Sequence, residues 1–310
     1  MANRPYQHIP VMAEEVINYL NPSAGKTLVD CTLGGGGHAQ ALLGKSKIQN
    51  GSTSSPYLPS REQSRDPKLK IIGFDQDEDA ITTAKARLAQ FQGIEYINDN
   101  FSNLKQHIKH KVDGFLFDLG VSSYQIDHAE RGFSLQKDGP LDMRMDRREK
   151  LTAAEIVNNY PIEKLTKIFW EYGEERFAKR ISNAISVTRN LKKIATTFEL
   201  KAVIEKAIPT WKKRESVTRV FQALRIAVNS ELENLNQALR GAIDFLKPGG
   251  RIVVLSYHSL EDRIVKRTFR AAAQAGILSI LTKKPILPQE AEIKENPRAR
   301  SAKLRAAEKI

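Results

Sequence analysis

Four consecutive glycines, Gly34 to Gly37, stand between an apolar run ending Leu28-Val29-Asp30-Cys31-Thr32-Leu33 and a helical pattern that opens near His38. Glycines at a strand-to-helix turn let a ligand approach bare backbone N–H groups. Gly34, Gly36 and Ala39 fit a loose G-x-G-x-x-A, which serves dinucleotide, flavin and S-adenosylmethionine sites alike. Asp75 ends the next apolar run, where an acid can accept hydrogen bonds from both ribose hydroxyls of an adenosine cofactor. It lies 41 residues beyond Gly34; setting aside an insertion at 45–68 leaves 17, close to the spacing of about 20 that such sites use. Asp77 is the better candidate for a helix cap. Asp118 closes another strand pattern, so its carboxylate is placed to meet a cofactor or a reacting group. His258 follows the last strand pattern and is a candidate for substrate contact or proton handling.

Other chemistries lack their residues. The histidines show no metal-ligand spacing, so no metal is expected. No G-x-x-x-x-G-K-[ST] loop and no G-x-S-x-G elbow occurs.

The elements that must carry these residues alternate. Apolar, β-type stretches at Thr27–Leu33, Lys70–Asp75, Ile94–Ile97, Val112–Leu119 and Arg251–Tyr257 have helical patterns between them, such as Asp77–Gln92. Continuous runs like Ile252-Val253-Val254-Leu255 suit strands buried on both faces of a parallel sheet. The alternation predicts an α/β, doubly wound, Rossmann-like fold. The Ser- and Pro-rich stretch 45–68 is expected to be a mobile surface loop. Residues 140–213 interrupt the rhythm with helices alone and predict an inserted helical domain. The flanking parts, 1–139 and 214–310, then make one core. A single long helix over about Ser216–Leu246 is expected from apolar positions running from Val217 to Leu239 in steps of three or four. Lys247-Pro248-Gly249-Gly250 should end it and turn into the next strand.

The chain has 310 residues, 41% of them hydrophobic and 27% charged, enough to bury a core. No apolar run approaches the roughly 18 residues of a membrane helix, so no membrane partner is expected. One cysteine, Cys31, excludes an internal disulfide. With no apolar signal region after Met1–Pro5, a cytoplasmic location is expected. The net charge of +13 is localised: residues 176–219 hold 12 Lys/Arg against 3 Asp/Glu, and residues 251–310 hold 13 against 6. Concentrated positive charge is the footprint of a polyanion.

Beyond these patterns, the sequence resembles the bacterial small-subunit ribosomal RNA (cytosine-N4)-methyltransferases of the H type. The resembling segments are His8–Met12, Asp30–His38, Asp118–Asp127, Glu130–Ser134, Asp138–Asp146, Tyr172–Arg176, Phe221–Ile226, Asn229–Leu232, Ser259–Arg263 and Asn296–Ser301, spread over nearly the whole chain. The resemblance implies an S-adenosylmethionine-dependent methyltransferase with an inserted helical domain for substrate recognition. The implied target is the exocyclic N4 of one cytidine in the decoding region of 16S rRNA, within the small ribosomal subunit. Cofactor contacts are implied at Gly36, Gly37, His38, Asp75, Phe101, Asp118 and Gln125, with Phe101 against the adenine face. Tyr124 departs from the family pattern, which has Pro there. His258 and Asp118 remain the candidates for a proton acceptor.

Two other functions share some of these features. A nicotinamide oxidoreductase would use the same glycine turn and Asp75, but no hydride-transfer acid or base accompanies them. A non-catalytic RNA-binding assembly factor would explain the charge but not the coexistence of the turn with Asp75 and Asp118. The sequence does not determine oligomeric state.

Overall fold

The structure, a computed structural model, describes residues 10–49 and 68–310. Two compact units make up the chain: Met1–Gly120 together with Asn234–Ile310, and Val121–Glu233.

The first unit is built on seven strands: β1 (Thr27–Asp30), β2 (Lys70–Phe74), β3 (Ile94–Ile97), β4 (Val112–Asp118), β5 (Leu246–Ser256), β6 (Leu278–Ile280) and β7 (Lys303–Lys309). Their order is β3-β2-β1-β4-β5-β7-β6. β1 pairs in parallel with both β2 and β4, β4 with β5, and β7 is antiparallel to its neighbours β5 and β6. This is the expected doubly wound sheet with an antiparallel edge that sequence periodicity did not reveal. Side chains alternate across it as a pleated strand demands. Val29, Phe115, Phe117, Ile252 and Val254 enter one core, and Leu28, Leu116, Val253 and Leu255 enter the other. Both faces are covered, which is why these strands read as unbroken apolar runs.

β5 begins earlier than expected. Val112 pairs with Leu246 and Gly114 pairs with Arg251, so Lys247–Gly250 bulge from the ladder and do not form a separate turn. Gly249, with φ of +74°, supplies the left-handed backbone that this bulge needs. Of the insertion expected at 45–68, residues 45–49 instead continue helix Gly37–Gln49, since they contain neither Gly nor Pro; residues 50–67 lie outside the described residues.

The second unit is helical: Ala153–Asn159, Ile162–Glu171, Ala178–Leu191, Thr197–Ala207 and Lys213–Asn229 follow a short helix at Ser123–Asp127. The unit divides from the first at 120/121 and 233/234, where the sequence suggested 139/140 and 213/214. The reason is packing. Val217, Val220, Phe221, Leu224 and Val228 belong to the helical core, with Leu165, Phe169, Ile181 and Leu200. The single helix expected over Ser216–Leu246 is broken at Ser230, whose φ is +49°. Beyond the break, Leu235 and Leu239 on helix Glu231–Phe245 serve the core of the first unit. One continuous apolar stripe thus serves two cores.

Gly139 shows how tightly the loop preceding these helices is folded. A Cβ there would lie 1.9 Å from the carbonyl oxygen of Ala129, a backbone atom that has no rotamer to retreat into. Gly139→Ala is expected to destabilise the helical unit by roughly 3 kcal/mol, read as a lower urea midpoint; an unchanged midpoint would contradict this packing.

Candidate active site

The carboxyl ends of β1, β2 and β4 lie side by side where the strand order reverses, the place where open α/β sheets bind ligands. Each of these strands ends on or next to an aspartate. Asp30 ends β1, Asp75 follows β2, and Asp118 ends β4.

Asp75 is tied to the glycine turn. Its Oδ2 accepts the Gly34 N–H at 2.8 Å, its Oδ1 accepts the Asp77 N–H at 2.9 Å, and its carbonyl accepts from Asn98 Nδ2 at 3.0 Å. Burial pushes its pKa up to about 7, against the lowering influence of these two N–H groups. Each carboxylate oxygen keeps a second lone pair for a ligand hydroxyl. Asp77 caps helix Glu78–Arg87 by accepting from the Asp79 N–H, as expected.

Gly34 and Gly36 both take positive φ, +52° and +78°. A Cβ on Gly36 would strike Leu88 at 2.9 Å, so that glycine is required by packing as well as by backbone conformation. A Cβ on Gly34 would meet only the Thr32 carbonyl, at 3.9 Å, which leaves room beside the turn. Gly37 and His38 open helix Gly37–Gln49, whose first N–H groups can receive a carboxylate.

His38 is buried and bridges two elements. Its Nε2 lies 2.9 Å from the Val11 carbonyl and its Nδ1 lies 3.4 Å from Asp118 Oδ2. Asp118 is held from two further directions. Its N–H donates to Thr32 Oγ1 at 2.6 Å and the Tyr257 hydroxyl donates to its Oδ1 at 2.7 Å, while its side chain keeps one fifth of its surface exposed. Burial raises the Asp118 pKa, while His38 and the Tyr257 hydroxyl pull it back. Burial and the neighbouring Asp118 carboxylate push the Tyr257 phenol well above its ordinary value, so it remains a donor.

Asp30 and Tyr257 were not singled out in the sequence. Asp30 is 2% exposed; its Oδ1 accepts the Thr32 N–H at 3.1 Å, but its Oδ2 has no hydrogen-bond partner among the described residues. Burial carries its pKa to about 6, with His38 opposing. An acid at the end of the strand that leads into the glycine turn was the available signal for Asp30. Tyr257 adjoins the singled-out His258 but had no signal of its own. Cys31, beside Asp30, is buried with its thiol pushed well above the usual range, so it is no nucleophile.

The remaining predicted residues fall in different places. Phe101, half-buried, sets its ring edge-on to Phe117 with centroids 5.8 Å apart, and Asn100 fixes the turn by accepting from the Ser102 N–H. His258 is the N-cap of helix Ser259–Gln274. The Glu261 N–H donates to its Nδ1 at 3.5 Å, and Glu261 Oε2 accepts the Tyr257 and His258 N–H groups. Its Nε2 lies 3.1 Å from Glu261 Oε1 without hydrogen-bond geometry. Gln125 belongs to the second unit, where it forms a reciprocal capping box with Ser122; Tyr124 beside it stacks on His128 at 3.8 Å.

The donor set suits S-adenosylmethionine. A free buried carboxylate oxygen on Asp30 and the partly exposed Asp118 complement cationic ammonium and sulfonium centres. Asp75 suits ribose hydroxyls, and the open side of Gly34 admits the chain of the ligand close to the backbone.

The sequence profile of the MraW methylase family matches residues 5–54 and 62–310. A ribosomal RNA small subunit methyltransferase H from Carboxydothermus hydrogenoformans is 45% identical over 328 aligned positions, covering 98% of each chain. The protein of the same name from Halothermothrix orenii is 44% identical, covering 98% of this chain and 99% of its own. That from a Geobacter species, strain M21, is 45% identical with the same coverage.

Asp75 makes the site sensitive to pH without ligand. Its folded-state pKa is raised from 3.8, so the unfolded chain loses this proton first as pH rises. The stability it contributes is full below about pH 4 and is lost as pH rises through about 7, on the order of 4 kcal/mol in all. Asp75→Asn should therefore flatten the fall of stability between pH 4.5 and 7.5, measured by urea unfolding of the ligand-free protein. An equally steep fall in the variant would count against the buried state of Asp75.

Proposed function

The chain belongs to the MraW methylase family, and from that premise we propose that it transfers a methyl group from S-adenosylmethionine to the exocyclic N4 of a cytidine in the decoding region of 16S rRNA. The single observation that carries the chemistry is the unsatisfied, buried Asp30 carboxylate beside the glycine turn and Asp118, a place built for a cation.

In this reading Gly36, Gly37 and His38 receive the carboxylate end of the cofactor, and Asp75 receives its ribose hydroxyls. Phe101 packs on the adenine, while Asp118 completes the contacts. When bound, the sulfonium would supply an electrophilic methyl to N4 and depart as the neutral thioether, and the proton lost from N4 would pass to the Asp118 carboxylate or to solvent. The chain's share is mainly orientation, worth roughly 7–11 kcal/mol in well-aligned reactions. His38 and the Tyr257 hydroxyl hold Asp118 in one place, with its exposed edge available to accept an N–H of the cytosine amine. Such acceptance localises the nitrogen lone pair that the ring otherwise draws in. His258 works with Glu261 to fix the start of its helix and so the position of Tyr257, a positioning role.

The RNA is gripped by the second unit. Its basic stretch 176–219 contains the exposed aromatics Trp211, 77% exposed, and Phe198, 41% exposed, and Trp170, 62% exposed, lies just before it. Lys212 Nζ lies 5.1 Å from the Trp211 ring, and Lys213 and Arg214 follow. Aromatic faces among cations suit unpaired bases and their phosphates. A cytoplasmic location follows from an rRNA substrate. Among the described residues no helix is long and apolar enough to cross a membrane.

The decisive experiment supplies methyl-labelled S-adenosylmethionine and undermethylated small subunits, then digests the RNA to nucleosides. Label is expected in N4-methylcytidine; label in another nucleoside overturns the target atom, and none overturns the activity. Separately, Trp211→Ala should weaken RNA binding by about 1–3 kcal/mol and reduce the quenching of tryptophan fluorescence that RNA causes. Full retention of both would sink the stacking role.

A further inference from the structure

The second basic stretch, 251–310, contributes none of its Lys or Arg residues to the site described above. Its charges collect in the first unit, where helix Ser259–Gln274 packs against β6 and β7 around a cavity of about 380 Å³. Lys266, Arg270, Lys283 and Arg305 line it, with Thr282 and the edge of Phe269. Lys266 and Arg270 are one helical turn apart and so share a face. They and Lys283 are exposed, and none has a carboxylate partner among the described residues. Arg305 is different: it is 7% exposed and fixed by Asp262, with Nε 2.6 Å from Oδ1 and the second nitrogen 3.3 Å from Oδ2. Thr282 is also fixed, its Oγ1 accepting the Ala306 N–H at 2.9 Å.

Four cations thus surround one cavity with a single carboxylate, Asp262, held against one of them. Like charges lining one cavity repel, and an anion entering it relieves that repulsion. The volume falls within the range of small-molecule pockets, ample for a phosphodiester with its sugar. The Phe269 ring is only 2% exposed, so it offers no face on which a base could stack. Recognition here is of backbone charge, without sequence information. The position also fits a flank and not a target. At about 1.5 Å per residue, Lys266 and Arg270 stand roughly 12–18 Å along their helix from His258, whose neighbour Tyr257 touches Asp118.

We infer that this cavity clamps one backbone phosphate of the RNA strand that flanks the target nucleotide, through Lys266, Arg270 and Lys283, with Arg305 as a fixed charge at its base. The inference rests on the rRNA methyltransferase reading for the identity of the polyanion.

The test compares the full-length protein with a triple variant, Lys266→Gln, Arg270→Gln and Lys283→Gln. A control neutralises three exposed lysines elsewhere in the same unit, Lys85→Gln, Lys109→Gln and Lys111→Gln. Affinity for undermethylated small-subunit RNA is measured across a series of KCl concentrations, and affinity for S-adenosylmethionine by calorimetry. The triple variant is expected to bind RNA at least tenfold more weakly at 0.1 M salt. Its salt slope should fall by about 0.7, the value for one phosphate on a single strand, with unchanged cofactor affinity and a control that binds as the wild type does. Unchanged affinity and slope in the triple variant overturn the clamp, as does an equal loss in the control. Tight binding of inorganic pyrophosphate at the cavity with no effect of the triple variant on RNA would also overturn it, in favour of a small anion. Methyl transfer by the same wild-type preparation separates the two proposals. Normal transfer with an unaffected triple variant removes the clamp alone. No transfer, with RNA binding lost in the triple variant, removes the methyltransferase reading and leaves the clamp.

Discussion

Three carboxylates brought together in a buried place are expensive to keep ionised, and the cofactor end of the first unit is organised around that cost. Burial pushes Asp30 to about 6 and Asp75 to about 7, and raises Asp118. What opposes the shift is supplied by particular groups: the Gly34 and Asp77 N–H groups at Asp75, and His38 with the Tyr257 hydroxyl at Asp118. Asp30 has the least compensation, with one oxygen unsatisfied. A cation placed there would lower the cost of all three, and this is the physical sense in which the protein is prepared for a sulfonium ligand.

The sheet makes that arrangement possible. Parallel pairing of β1 with β2 and β4 sets their ends in adjacent register, and Phe115, Phe117 and Val29 below them exclude water. The glycine turn then needs backbone conformations that other residues resist. Gly36 combines a positive φ with a contact to Leu88 that leaves no space for a Cβ. Chemistry and packing therefore constrain the same few residues.

Positive charge is distributed by a different logic. The helical unit offers cations among exposed aromatics, suited to bases, whereas the first unit offers cations around a cavity without an exposed ring, suited to phosphate. The two basic stretches noted in the sequence thus differ in kind once their surroundings are known.

Much of this was legible in the chain itself. Strand ends at Asp75 and Asp118, the turn at Gly34–Gly37 and the cap at Asp77 are local features, written in residue type and short spacing, and the family resemblance named the ligand. The helical interruption was also visible, because residues 140–213 carry helical patterns with no apolar strand run between them. The rest depended on partners far apart in sequence. Tyr257 reaches Asp118 across 139 residues, and β7 enters the sheet antiparallel beside β5 although no strand pattern announced it. The stripe from Val217 to Leu239 looks like one helix, because periodicity reports that a face is buried and not which core buries it. Only packing revealed that Val217–Val228 and Leu235–Leu239 serve different cores, with Ser230 turning the chain between them. Local sequence determines which element forms and where it stops, since those depend on nearest neighbours along the chain. Which buried polar atoms find partners, and which one is left for a ligand, is decided only when distant segments meet.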